Sequence, residues 1–325
     1  MRTMEGYIMK TRAIVINQYG GADQLVEDTV ELPELEANQV IVKVKATSVN
    51  PIDWKLREGY LSQMMPWEFP IILGWDVAGE IVEVGDQVKD WQVGDQVFAR
   101  PETTRFGTYA DYTIVDDHLL AKLPENISFE EAAAVPLAGL TAYQALFTHG
   151  HLKAGEKVLI HAGAGGVGMF AIQLAKNAGA EVITTASAKN HEWLKKLGAD
   201  QVIDYHTTDF SEVLSDIDLV FDTMGGEIQA KSFKVLKPES GRLISIVGTP
   251  ILELAKEYNI LLAKSIWLNP DGGQLQELAE LLQKGKLQSI VGETFPLTAD
   301  GVKEAHQLSE THHAKGKIVL TNTFS

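Results

Sequence analysis

The stretch from Lys157 to Gly168, Lys-Val-Leu-Ile-His-Ala-Gly-Ala-Gly-Gly-Val-Gly, runs from an apolar strand-like segment straight into a glycine-rich turn. Beyond the turn, apolar residues fall at Val167, Phe170, Ala171, Leu174, Ala175 and Ala178, the spacing of one face of an α-helix. Gly163, Gly165 and Gly168 supply the three positions of G-x-G-x-x-G, read as a tight turn, a close approach of backbone to a diphosphate, and close packing of helix on strand. Glycine turns after strands are common, and it is the flanking strand and helix that make this one specific. The N–H groups and positive dipole end at a helix start attract an anion without a lysine. A dinucleotide cradle is therefore expected at Gly163, Ala164, Gly165, Gly166 and Val167.

From Lys157 onward strand and helix alternate regularly. Strand candidates are Val158 to His161, Glu181 to Thr185, Gln201 to Ile203, Asp218 to Phe221 and Arg242 to Val247, which predicts a doubly wound parallel sheet with crossover helices. An amphipathic helix is expected over Leu275 to Gln283 and a last strand over Lys317 to Thr321.

The first 122 residues have a different character. Arg12 to Ile16 and Val40 to Val49 read as strands, and Phe106 to Val115 is a further strand signal. The pentapeptide Val-Gly-Asp-Gln-Val occurs at 84–88 and 93–97, which is turn chemistry and not a repeat architecture. In Val49-Asn-Pro-Ile-Asp53 the proline removes an N–H and holds Asn50 extended, so the segment is expected to leave the sheet and display polar side chains. Trp54, Tyr60, Trp67 and Phe69 follow, either as walls of a loop or, as favoured for Trp67 and Phe69, packed beneath it. Ser128-Phe-Glu-Glu131 fits a capping box that launches an alanine-rich helix, and a second helix is expected to begin near Pro136 to Thr141. The first eight residues carry no pattern and are read as an extension.

Composition narrows the partners. With 28 lysines and arginines against 44 acids, a formal charge of −16, the 325-residue chain repels nucleic acid and anionic lipid surfaces. It has no cysteine, hence no disulfide, thiolate ligand or thiolate nucleophile. No apolar run reaches the length of a membrane span or a signal peptide, so a cytoplasmic setting is expected. The pairs His149/His151 and His312/His313 are read as solvent-facing and not as metal ligands. His161, closing the first strand of the alternating region, is read either as a neighbour of the cofactor or as a strand-end hydrogen-bonder.

Six blocks in order, Val49-Asn-Pro-Ile-Asp53, Gly74-x-Asp76-x-x-Gly79, Ala132 to Tyr143, Ala162 to Gly168, Asp222-Thr-Met-Gly-Gly226 and Gly316-Lys-Ile-Val319, resemble the zinc-independent quinone oxidoreductase branch of the medium-chain dehydrogenase/reductase superfamily. The resemblance spans nearly the whole chain. It implies an α/β Rossmann domain over 126–269 and a β-rich GroES-like barrel over 9–125 with 270–325, with the cofactor in a cleft and, in many relatives, a homodimer. Metal-dependent cousins use two cysteines and a histidine for catalytic zinc. Here Asn50 stands at the first cysteine and Gly74-Trp75-Asp76 where Gly-His-Glu is expected, so no metal is predicted.

The activity implied is NADPH-dependent transfer of hydride to a small-molecule quinone or α,β-unsaturated carbonyl. Such an acceptor is already electrophilic and needs orientation and a hydrogen bond to its developing oxyanion. Two alternatives stand beside it: a 2-enoyl thioester reductase, for which no basic cluster is evident in the sequence, and a non-catalytic NADPH-binding sensor or structural protein. Preference for NADPH is read from the tip after Thr185, which lacks a carboxylate until Glu192 and offers Ser187 and Lys189 to a 2′-phosphate. By resemblance Tyr205 flanks the same phosphate, although relatives carry the lysine at the position of Asn190, one residue after Lys189. Also by resemblance, Thr141 touches the nicotinamide, and Thr223, Met224, Gly225, Val247 and Gly248 line its path. For the chemistry, Asn50 is the orienting donor, Tyr60 the weaker candidate and Asp53 an anchor for the loop.

Overall fold

The structure, a computed structural model, describes residues 9–323; the extension expected over the first eight residues lies outside them. The described residues divide into two compact units, one of 9–137, 270–284 and 289–323, the other of 138–269 and 285–288. The segment 126–137 thus belongs with the β-rich unit, and the boundary falls inside a helix.

In chain order the first unit begins with β1 (Lys10–Ile16), β2 (Val26–Glu31), β3 (Gln39–Val49), α1 (Pro51–Arg57), β4 (Ile71–Ile72), β5 (Val77–Val84), β6 (Gln96–Ala99), β7 (Tyr112–Asp116), β8 (Leu120–Lys122) and α2 (Phe129–Ala133). Alternation in β3 buries Val40, Val42 and Val44 beside Val77, Ile81 and Val97. The strand expected over Phe106 to Val115 begins only at Tyr112; before it the chain makes isolated bridges at Phe106 and Ala110. Trp67, 6.0 Å from Trp75, packs against the core, whereas Phe69 meets Tyr19 edge-on at 5.0 Å but stays 37% exposed, so the packed reading describes Trp67 and not Phe69. Ser128 Oγ accepts from Glu131 N–H at 3.1 Å and Glu131 Oε2 accepts from Ser128 N–H at 2.9 Å, which is the expected capping box.

After α3 (Pro136–Tyr143) the second unit supplies β9 (Lys157–Ile160), α4 (Gly166–Asn177), β10 (Glu181–Thr185), α5 (His191–Leu197), β11 (Gln201–Ile203), α6 (Phe210–Val213), β12 (Leu219–Asp222), α7 (Gly226–Val235), β13 (Arg242–Ser245), α8 (Leu252–Glu257) and β14 (Leu262–Ser265). Its sheet is parallel in the order β11-β10-β9-β12-β13-β14. The order reverses at β9, which puts the glycine turn at the switch point of an open α/β sheet. Helix α4 is buried on more than the predicted stripe, from Gly168 through Ala175, and the side chain of Gln173 is satisfied inside by both backbone groups of Gln288.

The chain then returns to the first unit with α9 (Gly272–Gln283), β15 (Val291–Pro296), α10 (Ala299–Glu310) and β16 (Lys317–Thr321). Strand β16 lies between β15 and β3 in a seven-stranded sheet ordered β15-β16-β3-β5-β6-β8, with β7 also on β3. The C-terminal strand is therefore interior to this sheet and places its residues beside the end of β3. Among the described residues no helix is long and apolar enough to cross a membrane.

Candidate active site

Past β9 the chain turns at Ala162, which takes φ 54°, so the positive φ falls on an alanine and not on Gly163. What Gly163 supplies instead is proximity: a Cβ there would lie 2.2 Å from Thr184 Oγ1 on β10. At Gly168 a Cβ would lie 2.4 Å from Ala162 O, so the close packing read there as helix on strand is of helix on the turn that follows β9. Gly165 differs from both. It is extended (φ −76°, ψ 169°), caps α4 with no side chain, and a Cβ there would meet nothing nearer than Ala162 O at 3.4 Å. The space in front of it is open, and the twelve-residue helix behind it starts uncapped, with Ala164 to Val167 half-buried around it. These features suit an anionic diphosphate.

At the tip of β10, Ser187 Oγ and Tyr205 OH lie 3.2 Å apart, so the serine read from the sequence and the tyrosine given by resemblance meet. Lys189 is exposed on the turn that follows, with Asn190 next to it and half-buried. On the other side of β9, Asp222 at the end of β12 is fully buried and organises the Asp222–Gly226 loop. Its Oδ1 accepts from Met224 N–H at 3.1 Å and Gly225 N–H at 2.9 Å, and its Oδ2 from Ser245 Oγ and Gln229 Nε2, each at 2.8 Å. Thr223 Oγ1 donates to His161 O at 2.9 Å. Gly225 (φ 70°) and Gly248 (φ 154°) occupy backbone regions that favour glycine, and Met224 and Val247 stand exposed beside them. Thr141 is buried on α3. Asp222, Gln229 and Ser245 were not singled out in the sequence. Their only signal was the Asp-Thr-Met-Gly-Gly block, whose aspartate looks like a strand-end turn former.

In the β-rich unit, four strand ends converge through register. Ile318 opposes Val49, which sets Lys317 against Asn50; Ala46 opposes Ala78, which brings Ser48 to Asp76; and Val77 opposes Ala99, which sets Asp76 beside Arg100. Asp76, fully buried, accepts through Oδ2 from Ser48 Oγ at 2.6 Å and Asn50 Nδ2 at 2.7 Å, and through Oδ1 from Leu137 N–H at 2.8 Å. Lys317 Nζ donates to Asn50 Oδ1 and, at 3.1 Å, to Val49 O, and stands 4.0 Å from Asp76 Oδ2. Burial pushes the Lys317 ammonium down from its usual pKa, while Asp76 and Asp53 oppose the shift. Arg100 is a second buried cation, bonded to Pro101 O and to Thr103 Oγ1.

The polar side chains of 50–53 are therefore not displayed. Asn50 is 2% exposed and Asp53 fully buried, because the segment leaves the sheet as α1, with Pro51 at its first position and Asp53 Oδ2 accepting from Asn50 N–H at 2.8 Å. Asp53 Oδ2 also accepts from Tyr109 OH at 2.9 Å, Tyr109 OH meets His306 Nε2 at 3.0 Å, and His306 Nδ1 meets Arg57 Nη1 at 3.0 Å. Since arginine only donates, His306 must accept at Nδ1 and donate from Nε2, so every donor in the row points toward Asp53. A row that ends on a guanidinium cannot resupply protons; it fixes the start of α1, and with it Asn50. Burial pushes the Asp53 carboxyl up to about 7, against the Asn50 and Tyr109 hydrogen bonds, and pushes His306 down to about 3, helped by Arg57. Tyr60 is not brought into this cluster: it follows α1 at 71% exposure, and its hydroxyl bonds none of these groups.

Comparison with known proteins accounts for both units. Residues 36–125 match the alcohol dehydrogenase GroES-like domain and residues 197–320 the zinc-binding dehydrogenase domain. A chloroplast envelope quinone oxidoreductase homolog of Arabidopsis thaliana is 36% identical over 98% of this chain and 99% of its own. The chain belongs to the quinone oxidoreductase branch of the medium-chain dehydrogenase/reductases. An NADPH-dependent alkenal/one oxidoreductase from chloroplasts of the same plant is likewise 36% identical, over 95% of this chain and 79% of its own. The solved quinone oxidoreductase of Coxiella burnetii superposes with a TM-score of 0.89 at 37% identity, covering 96% of this chain and 99% of that one.

In this quinone oxidoreductase relative His161 is a core residue. It is 1% exposed, its Nε2 lies 2.8 Å from Ser232 Oγ, and its ring meets Phe210 edge-on at 4.8 Å, so the strand-end hydrogen-bonding role describes it. His149 lies by Lys264, 3.1 Å away, and among the described residues no group of three or more His, Asp or Glu is arranged to hold a metal. One basic cluster escaped the sequence reading. Lys176, Lys196 and Lys286 line a cavity of about 220 Å³ at the C-terminal end of α4. Twelve helical residues span about 18 Å, so this cavity lies at the end of α4 away from the glycine turn. Its lysines fit the negative ends of α4 and α5, and Lys176 pairs with Asp200 at 2.6 Å.

The two glycines should separate in mutants. Gly165→Ala is expected to leave the melting temperature within a degree or two and to weaken dinucleotide binding at least tenfold by titration calorimetry, whereas Gly168→Ala should lower stability by roughly 1–3 kcal/mol in urea unfolding. For His161, burial lowers the pKa from the usual 6.5 to about 4. Its contribution to stability is therefore complete above pH 6.5 and lost as pH falls toward 4. Relative to wild type, His161→Gln should remove up to one proton of that dependence, about 1.4 kcal/mol per pH unit, read from urea unfolding between pH 4 and 6.5.

Proposed function

We propose that this chain is an NADPH-dependent reductase that delivers hydride to a quinone or α,β-unsaturated carbonyl. The observation that carries the reading is the amide of Asn50, a neutral donor held at a rim of buried charge by a chain that has no cysteine with which to build the metal site of its cousins. A hydrogen bond is what such a rim offers an acceptor oxygen, and that is sufficient for an acceptor already polarised. Similarity over 95% of the chain to a protein named NADPH-dependent alkenal/one oxidoreductase supports the same class.

NADPH, when bound, supplies the hydride. The residues that would hold it are Gly163 to Val167 for the diphosphate, Ser187, Lys189 and Tyr205 for the 2′-phosphate, and Thr141, Thr223 to Gly225 and Val247-Gly248 for the nicotinamide end. Supporting this are the open space before Gly165, the Ser187–Tyr205 contact and the absence of a carboxylate on the tip from Ala186 to His191. Asn50 orients the acceptor oxygen and stabilises its growing negative charge; water completes the proton balance. Tyr60 is the weaker member of this reading. A homodimer completes it, supported by the unpaired edge strand β14 with Leu261 and Trp267 exposed at its ends.

The decisive assay follows NADPH oxidation with small quinones and small enones. Turnover with at least one class is expected, and none with either would overturn the function. Replacing Ser187 and Lys189 together with alanine should raise the KM for NADPH at least tenfold while leaving that for NADH within about twofold; equal losses would remove the assigned phosphate site.

A further inference from the structure

The Asn50 amide is gripped at both ends by groups of fixed hydrogen-bonding sense. Lys317 Nζ can only donate and meets Oδ1; the Asp76 carboxylate accepts from Nδ2 at 2.7 Å. A flip of the amide would turn its carbonyl toward a carboxylate and its NH2 toward an ammonium, so one orientation is enforced. Of the two hydrogens on Nδ2, Asp76 takes one. The other has no acceptor among the described residues.

Lys317 is not explained by Asp76 alone. Asp76 is already satisfied by Ser48, Asn50 and the Leu137 N–H, and the ammonium stands 4.0 Å from its Oδ2, farther than hydrogen-bonding distance. Its bonds go to the Asn50 amide oxygen and to the carbonyl of the residue before it. Burying an ammonium to hold a neutral amide is costly, and the gain is directional: a cation on the carbonyl oxygen polarises the amide and strengthens the remaining N–H as a donor.

We propose that Lys317 is a positioning residue that, with Asp76 as the opposing jaw, clamps the Asn50 amide so that a single N–H is presented to the oxygen of the acceptor. The inference rests on the reading that Asn50 is the orienting donor. Lys317 touches neither acceptor nor cofactor in this role; it acts through Asn50.

The test compares Asn50→Ala, Lys317→Met and the double variant in the full chain. Each single substitution is expected to lower kcat with a quinone or enone by about 10- to 100-fold without changing the KM for NADPH, and the double variant should be no slower than Asn50→Ala. Reductions that multiply would show Lys317 acting independently and overturn the clamp. A second readout needs neither acceptor nor cofactor. The side-chain amide signals of Asn50 in a nitrogen-15 correlation spectrum, assigned by their loss in Asn50→Ala, should shift and exchange faster in Lys317→Met; unmoved signals overturn the clamp. Should Lys317→Met not fold, Lys317→Gln, shorter and uncharged, gives the same comparison. Full kcat in Asn50→Ala would remove the orienting donor, and this inference with it, whereas loss in Asn50→Ala with full kcat in Lys317→Met would remove the inference alone.

Discussion

A carboxylate buried away from water must be met by donors on its own side of the protein surface, and Asp76 is met by the ends of two strands and a helix start. Ser48 and Asn50 come from β3 and its exit, the Leu137 N–H from the first turn of α3, and Lys317 from β16. An unsatisfied buried charge costs several kcal/mol or more, so this one group holds the register of strands separated by more than two hundred residues. A slip of one residue in β16 would turn Lys317 to the other face and leave Asp76 and Asn50 undercompensated.

The second unit uses the same device. Asp222, also fully buried at a strand end, is held by a serine hydroxyl from the next strand (Ser245), by a side-chain amide (Gln229) and by backbone N–H groups (Met224 and Gly225). The difference lies in charge. Asp76 has Lys317 beside it, whereas among the described residues no lysine or arginine forms an ion pair with Asp222. One carboxylate thus shapes a loop that leaves Met224 exposed, and the other locks a polar side chain inside a rim. Positioning in both units comes from buried acids aimed at backbone and amide groups, with no contribution from disulfide or thiolate chemistry in a chain without cysteine.

How much of this was legible in the sequence follows from the range of each interaction. The glycine turn, the Ser128–Glu131 capping box and the five apolar strands of the parallel sheet depend on neighbours within a few residues, and local pattern carried them. Strand β14 has too little apolar character in Leu-Ala-Lys-Ser and exists because β13 offers it a ladder; it was not foreseen. At Ala162 the positive φ falls on a residue that sequence rules read as ordinary, while Gly163 is needed for the Thr184 side chain across the sheet. The strand Lys317 to Thr321 is legible in the sequence, but the direction of its first side chain is not. Only the pairing Ile318 to Val49 turns it inward, and no local rule encodes that pairing. Asn50 was chosen on resemblance, but its partners, and the helix that begins at Pro51, came from tertiary structure alone.

Strand β16 sits inside its sheet, between β15 and β3, although more than 260 residues separate it in sequence from β3. During synthesis the ribosome delivers β3 about 270 residues before the strand that must lie against it. All six strands of the parallel sheet are emerged by then, so that half has its complete hydrogen-bonding set while the other still has an open seam. A prematurely terminated polypeptide would therefore contain an intact glycine turn and an unzipped barrel, with the Asp76 carboxylate waiting for a lysine not yet translated.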